Sequence, residues 1–315
     1  MFLSLEQIKS VTFGACDVWE ENGQIKFSRF INKQYEAWER KNVLAGTKAT
    51  TSIKLDFHSN TKKVSVSAVS IKSKYEIYID DEPVYFGRIT PTAPTISLGL
   101  DGNEHRITIM LPCHGIGVLT SVEIDDGAYL TPHQYDYKFM FWGDSLTQGW
   151  NSDQDSMSYA NRVARHFNAE VVNLAVGGTV FNADVVCDEH PFDPEYVILA
   201  YGTNDWNKTT FNDLENNCKN FLDNVTKVYK GKTIIGITPI WRWDVDEIKM
   251  AGSFNDVVSL LKKEYLERGV KVIEGIDLVP HQMHYYSDAV HLNAKGFGLY
   301  AKNLIPKLEE IILEK

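Results

Sequence analysis

At 315 residues the chain is long enough to bury a sizeable core and to form two domains. Its 42 acidic against 32 basic side chains give a formal net charge of −10. That opposes non-specific attraction to nucleic acid or to an anionic membrane, since both favour basic surfaces. The four cysteines, Cys16, Cys113, Cys187 and Cys218, are scattered without a C-x-x-C pair, so each reads as a small buried hydrophobe.

The opening "MFLSLEQIKSVTF" lacks a basic segment followed by a long apolar core and a small-residue cleavage site. No later run approaches the length of a membrane span, so the expected location is the cytoplasm. From residue 1 to about 134 the pattern alternates with period two. Ile53, Leu55 and Phe57 oppose Lys54 and Asp56; Tyr75, Ile77 and Ile79 oppose Glu76, Tyr78 and Asp80; Ile107, Ile109 and Leu111 oppose Arg106, Thr108 and Met110. Such runs are half-buried strands. Turn signals at Asn22-Gly23, Asn60-Thr61, Asp80-Asp81, Asp101-Gly102 and Asp126-Gly127 separate them. With no convincing helix between the strands, residues 1–134 read as an all-β sandwich, jelly-roll-like in plan.

The period changes at Tyr137. Strand-like apolar runs at Phe139–Trp142, Val171–Leu174, Val197–Tyr201, Ile234–Thr238 and Val272–Ile276 alternate with helical spacings. Leu214, Cys218, Phe221, Leu222 and Val225 mark one helix, and Phe254, Val257, Val258, Leu261 and Tyr265 another. A C-terminal helix carries Leu304, Leu308, Ile311 and Ile312, with Pro306 expected in its first turn or at a kink. Alternating strand and helix implies a parallel sheet covered on both faces, so residues 135–315 form a second, α/β domain. The boundary falls in "LTPHQYD", residues 130–136.

In open parallel sheets functional groups gather at the carboxyl ends of the strands. After the first strand comes "WGDSLTQG". Asp144 and Ser145 there can cap a following helix, or Ser145 can be a nucleophile whose neighbouring backbone N–H groups bind an oxyanion. After the second strand comes "NLAVGG", with Gly177 and Gly178; after the third, "YGTNDW", with Asn204; after the fifth, "YSDAVHLN", with Asp288 and His291. Serine hydrolysis needs a hydroxyl, a base, an orienting acid and oxyanion donors. Ser145, His291 and Asp288 supply the first three. The Ser145 and Gly178 N–H groups and the Asn204 amide supply the last.

These four blocks, in this order and roughly this spacing, resemble those of the SGNH (GDSL-type) hydrolases: "GDSLTQG" the Ser block, "NLAVGG" the Gly block, "GTND" the Asn block and "SDAVHLN" the D-x-x-H block. The resemblance covers residues 137–315. It implies a flavodoxin-like three-layer α/β/α fold, ester hydrolysis without metal or organic cofactor, Ser145 as nucleophile, Gly178 and Asn204 as oxyanion donors, and Asp288 with His291 as the acid–base pair. The Gly177-Gly178 pair leaves the alignment open by one position. The two-domain plan also resembles, more loosely, bacterial carbohydrate esterases in which a β-sandwich precedes the SGNH domain.

Other residues invite roles. His281 and His284 form H-x-x-H, but no carboxylate completes a zinc motif, and both read as loop histidines. Cys187, Asp188 and His190 crowd into "CDEHP", which reads as a loop because triad members converge from distant sequence. Trp150, Trp206, Trp241 and Trp243, with Arg242, follow the strand-end blocks. The tryptophans either pack between domains or in a subunit interface, or wall the acyl pocket or stack on a sugar ring, and Arg242 either binds a substrate hydroxyl or carboxylate or caps a helix.

The expected activity is hydrolysis of a small acyl ester, acetyl in particular, on a small-molecule or oligosaccharide substrate. Neither nucleic acid nor membrane is an expected partner, and the sequence leaves room for a homo-oligomer. Two rival readings stay open. One is a lysophospholipase or thioesterase acting on longer chains. The other is a carbohydrate-binding protein whose hydrolase domain is vestigial.

Overall fold

The computed structural model describes residues 1–41, 43–69, 74–90 and 92–313. The chain divides into two compact units: Met1–Ile31, Lys48–Asp136 and Gln154–Ser156 make one, and Asn32–Thr47, Tyr137–Asp153 and Met157–Lys315 the other.

The first unit is built on two antiparallel sheets. One runs in the order Thr12–Phe13, Lys54–Ser59, His105–Met110, Lys74–Ile79, Glu82–Arg88, with Thr131–Pro132 also paired to Lys54–Ser59. The other runs Asp17–Glu21, Gln24–Ser28, Leu119–Glu123, Lys63–Ala68, Thr95–Gly99. Leu55, Phe57, Ile107 and Ile109 from one sheet share a core with Ile25, Phe27, Val64, Val66 and Leu119 from the other. Side chains of a strand alternate in direction, so the period-two runs are what supply these two inner faces.

Two expectations for this region need correction. Helices do occur before residue 134, at Leu5–Ser10, Asn32–Glu39 and Leu44–Thr47. Moreover, the unbroken domain 1–134 gives up residues 32–47, which belong to the second unit. There the helix Asn32–Glu39 is fixed by a hydrogen bond from Gln34 Nε2 to the Val185 carbonyl (3.0 Å) and by the ion pairs Lys33–Glu189 and Arg40–Asp184. Its buried stripe is Gln34, Ala37 and Trp38. A polar glutamine in that stripe conceals the apolar spacing that announces a helix. Conversely, Gln154–Ser156 joins the first unit: Asp155 Oδ2 accepts from the Ser52 N–H (2.7 Å), and Ser156 Oγ donates to Glu76 Oε2 (2.5 Å).

The second unit carries five parallel strands in the order Ala169–Asn173, Tyr137–Gly143, Tyr196–Ala200, Thr233–Ile237, Lys271–Ile273. Helices Tyr159–His166, Phe211–Val228, Phe254–Glu267 and Ala294–Leu313 alternate with them. This is the parallel α/β arrangement that the resemblance to the SGNH hydrolases implies. Phe139, Phe141, Ile198, Ile235 and Ile237 from the sheet pack with Tyr159, Tyr300, Leu304 and Leu308 from two of the helices. The last helix starts at Ala294, so Pro306 lies in its interior, not in its first turn. The first turn is set instead by Asn293, whose Oδ1 accepts from the Lys295 and Gly296 N–H groups (3.0 and 3.1 Å). Among the described residues no helix is long and apolar enough to cross a membrane.

Candidate active site

In-register parallel pairing puts three strand ends side by side. Gly143 pairs with Ala200, and Phe141 with Asn173, so "GDSL", "GTND" and "AVGG" leave the sheet at one edge. Ser145 opens a short helix, Ser145–Gln148, capped by Asp144 through a bond from the Leu146 N–H to Oδ1 (3.0 Å). The turn into it is tight: a Cβ on Gly143 would lie 2.3 Å from Thr147 Oγ1 and 2.8 Å from the Ala200 carbonyl. Asn173 secures the same helix from the neighbouring strand, its Nδ2 donating to the Thr147 carbonyl (2.9 Å).

His291, 146 residues away in sequence, brings Nε2 to 2.9 Å from Ser145 Oγ. Its Nδ1 lies 2.8 Å from Asp288 Oδ2, while Asp288 Oδ1 accepts the backbone N–H groups of Val290 and His291 (2.8 and 2.7 Å). Partial burial pushes the Asp288 carboxyl up, but the N–H groups of His291 and Val290 and the imidazole outweigh it and hold Asp288 below the ordinary carboxylate value. An ionised Asp288 facing Nδ1 keeps the proton on that nitrogen and leaves Nε2 as an acceptor for the serine hydroxyl. Ser145 is 6% exposed, so the hydroxyl is screened yet reachable.

Three donors lie at the strand ends. Neither the Ser145 nor the Gly178 N–H has a hydrogen-bond partner among the described residues. Gly177 is different: its N–H already donates to Gln148 Oε1 (2.7 Å). That settles which of the two glycines keeps a free N–H, and Gly178 adopts φ +77°, a conformation side chains disfavour. Asn204 spends one amide hydrogen on Asp144 Oδ2 (3.2 Å); the other has no partner among the described residues. Sequence reasoning treated Asp144 only as a cap and overlooked Gln148. The structure gives Asp144 a second task, holding Asn204, and gives Gln148 the task of occupying Gly177 and receiving Trp150 Nε1 (3.1 Å). Both stand inside the motif, but only the fold reveals their partners.

The aromatic candidates separate. Trp206 is 0% exposed, its Nε1 donating to the Gly252 carbonyl (2.8 Å), and Arg242 is 4% exposed, donating to both Asp244 oxygens (2.9 and 2.8 Å) and to the Thr203 carbonyl (3.0 Å). Both are corrected from rim residues to internal supports: a guanidinium so buried needs a paired carboxylate. Trp241 is half-buried and stacks on His281 at 5.4 Å. Trp150 and Trp243 are exposed, and the Trp243 backbone N–H donates to the carbonyl of Ala289 (3.3 Å), between Asp288 and His291. His281 Nε2 bonds the Ile276 carbonyl (2.9 Å), and His284 packs on Tyr285. Among the described residues no three His, Cys, Asp or Glu side chains gather as a metal site.

Two buried carboxyls beneath the site are perturbed. Burial pushes Asp144 up to about 6 and Asp205 up to about 7, the latter despite a bond from the Phe181 N–H. Unfolding returns each to a carboxylate value near 3.8. The folded chain therefore keeps protons that the unfolded chain releases between about pH 4 and pH 7. Stability is expected to be highest at the acid end of that window and to fall as pH rises through the folded values, by up to about 1.4 kcal/mol per pH unit for one group. Urea denaturation at pH 5 and pH 8 should show Asp205→Asn losing less stability over this interval than the native chain. Equal losses would mean that Asp205 does not titrate this way.

The strand-end serine, the histidine it meets and the donors around them have the geometry that serine hydrolysis requires on an α/β sheet. The chain belongs to the GDSL-like lipase/acylhydrolase family, whose model matches residues 141–299, more than half of its length. It is a carboxylic ester hydrolase. Solved structures share the fold across both units at low identity. A salicylyl-acyltransferase from a tetracycline biosynthetic pathway superposes with a TM-score of 0.82 at 15% identity, covering 95% of this chain and 94% of the other. A family two carbohydrate esterase from Cellvibrio japonicus gives 0.73 at 17%, covering 99% and 97%. An acetyl xylan esterase from the rumen bacterium Butyrivibrio proteoclasticus gives 0.67 at 14%, covering 99% and 98%. No sequence match to a curated protein accompanies these likenesses.

Proposed function

We propose that the protein is a serine esterase that removes acetyl groups from a carbohydrate through an acyl-enzyme on Ser145. The observation that carries this reading is the continuous line Ser145 Oγ, His291 Nε2, His291 Nδ1, Asp288 Oδ2, with contacts of 2.9 and 2.8 Å. As the Ser145 oxygen bonds to the ester carbonyl carbon, its proton passes to His291 Nε2. Negative charge then develops on the carbonyl oxygen, where the N–H groups of Ser145 and Gly178 and the spare Asn204 hydrogen can meet it. The bond to the sugar oxygen breaks, and that oxygen takes the proton from His291. Water repeats the sequence on the acyl-enzyme, releasing acetate and restoring the serine.

A small acyl group is favoured by the ring of Trp150, which packs so closely on the glycine block that a Cβ on Gly177 would lie 2.6 Å from its Nε1. A carbohydrate is favoured by Trp243, 64% exposed beside the Asp288–His291 segment, since an exposed indole is a stacking platform for a sugar ring. Some of the structural neighbours are named as carbohydrate and acetyl xylan esterases, which agrees with both. Extra methylenes forced into a filled pocket cost about 1–3 kcal/mol, which corresponds to roughly tenfold to a hundredfold in rate. Acetyl esters of p-nitrophenol and of saccharides should therefore be cleaved well and octanoyl esters poorly. Comparable kcat/KM for acetyl and octanoyl esters would refute the small-acyl assignment.

A further inference from the structure

The segment 32–47, which interrupts the strands of the first unit, contributes to a cavity of about 280 Å³ in the second unit. Trp38, Lys41, Gly178, Asn182 and Lys208 are among the residues lining it, and no aspartate or glutamate is, among the described residues. In a chain of net charge −10 that is an unusual wall. Among the described residues its two charged side chains are both lysines. Lys41 Nζ has no partner among the described residues, and Lys208 Nζ spends one hydrogen on the Gly178 carbonyl (2.6 Å). The side chains of Trp38 and Asn182 each carry a buried N–H donor, Nε1 and Nδ2, with no hydrogen-bond partner among the described residues. Both of these atoms are closed off from the open space, so the charge that a ligand in the cavity would meet comes from the two lysines.

We infer that this cavity receives a carboxylate on the alcohol part of the ester, so that the preferred substrate is an acetylated sugar acid and not an acetylated neutral sugar. The inference rests on the esterase reading above. Gly178 joins the two sites: its backbone walls the cavity, and its N–H is one of the donors awaiting the ester oxyanion. Because the proposed acyl group is small, the space beyond the carbonyl belongs to the alcohol. A neutral sugar offers donors and acceptors in equal measure, whereas a carboxylate is acceptor-only and carries the charge that two lysines favour. Trp38 is only 1% exposed and sits on a helix held at Gln34, with Arg40 just beyond it paired to Asp184, so this side of the cavity is formed before substrate arrives.

Binding and turnover test this separately. Calorimetry on the full-length Ser145→Ala protein, titrated with glucuronate and with glucose, should give at least tenfold tighter binding of glucuronate, weakening as salt is raised. In the native protein, kcat/KM for acetylated glucuronate should exceed that for acetylated glucose by a similar factor. The double substitution Lys41→Met with Lys208→Met should bring that ratio close to one, while Lys302→Met on the C-terminal helix should leave it in place. Equal binding of glucuronate and glucose would overturn the inference, as would a ratio that survives loss of both lysines. If instead glucuronate binds selectively but neither acetyl ester is hydrolysed, the cavity stands and the esterase reading falls.

Discussion

Replacing Ser145 by alanine is expected to lower kcat/KM for an acetyl ester by roughly 10⁵-fold while leaving the fold intact. Among the described residues Ser145 Oγ has one side-chain partner, His291 Nε2 at 2.9 Å, so its loss removes no packing of consequence. The backbone donors of Ser145 and Gly178 survive the substitution, and with binding they sustain only the residual catalysis seen when a triad nucleophile is deleted. Because the missing interaction acts in the transition state, the defect should appear in kcat with little change in KM. Steady-state kinetics with p-nitrophenyl acetate, alongside a thermal melt, checks both halves. A loss of less than tenfold would remove Ser145 from the chemistry.

Substitutions at the acid–base pair should be unequal. His291→Ala deprives the serine of its proton acceptor and should cost nearly as much as Ser145→Ala, with a double substitution no worse than either single one, because the two act as a unit. Asp288→Ala should cost less, roughly 10²- to 10⁴-fold. Asp288 both orients Nδ1 and accepts the Val290 and His291 N–H groups, so its loss slackens the loop as well as the tautomer. Its side chain is half exposed, however, and water can take over part of the acceptor role. Asp288→Asn should be informative: with its amide oxygen keeping the backbone bonds, the amide nitrogen faces Nδ1 as a donor and favours the tautomer with that nitrogen unprotonated. Activities of the three variants on one acetyl ester would establish the order. An Asp288→Ala loss equal to that of His291→Ala would mean that the carboxylate does more than orient.

Much of this was legible in the residues because the relevant signals are local. The period-two runs around Leu55, Ile77 and Ile109 became antiparallel strands with those side chains inside. The apolar runs after Tyr137 became a parallel sheet, and the blocks following them met at its edge. Signals that depend on tertiary partners were not legible. The helix Asn32–Glu39 buries Gln34, which only its bond to Val185 makes tolerable, and no spacing rule anticipates that. The helix Leu5–Ser10 is a different case: Ser4 and Gln7 form a capping box that the sequence displays, but six residues are too few for periodicity to register. No spacing in the sequence chooses a role for Arg242 or Trp206, whereas their Asp244 and Gly252 partners place both side chains inside. Which of Gly177 and Gly178 has its N–H engaged is set by a side chain, Gln148, that no motif reading weighs.

The most direct test of the central claim, that Ser145 forms a covalent acyl-enzyme, is labelling with a fluorophosphonate followed by peptide mass spectrometry. The account predicts one adduct per chain, on the peptide carrying Ser145, absent from Ser145→Ala and much slowed in His291→Ala. An adduct on another serine, or labelling that persists after Ser145→Ala, would contradict it.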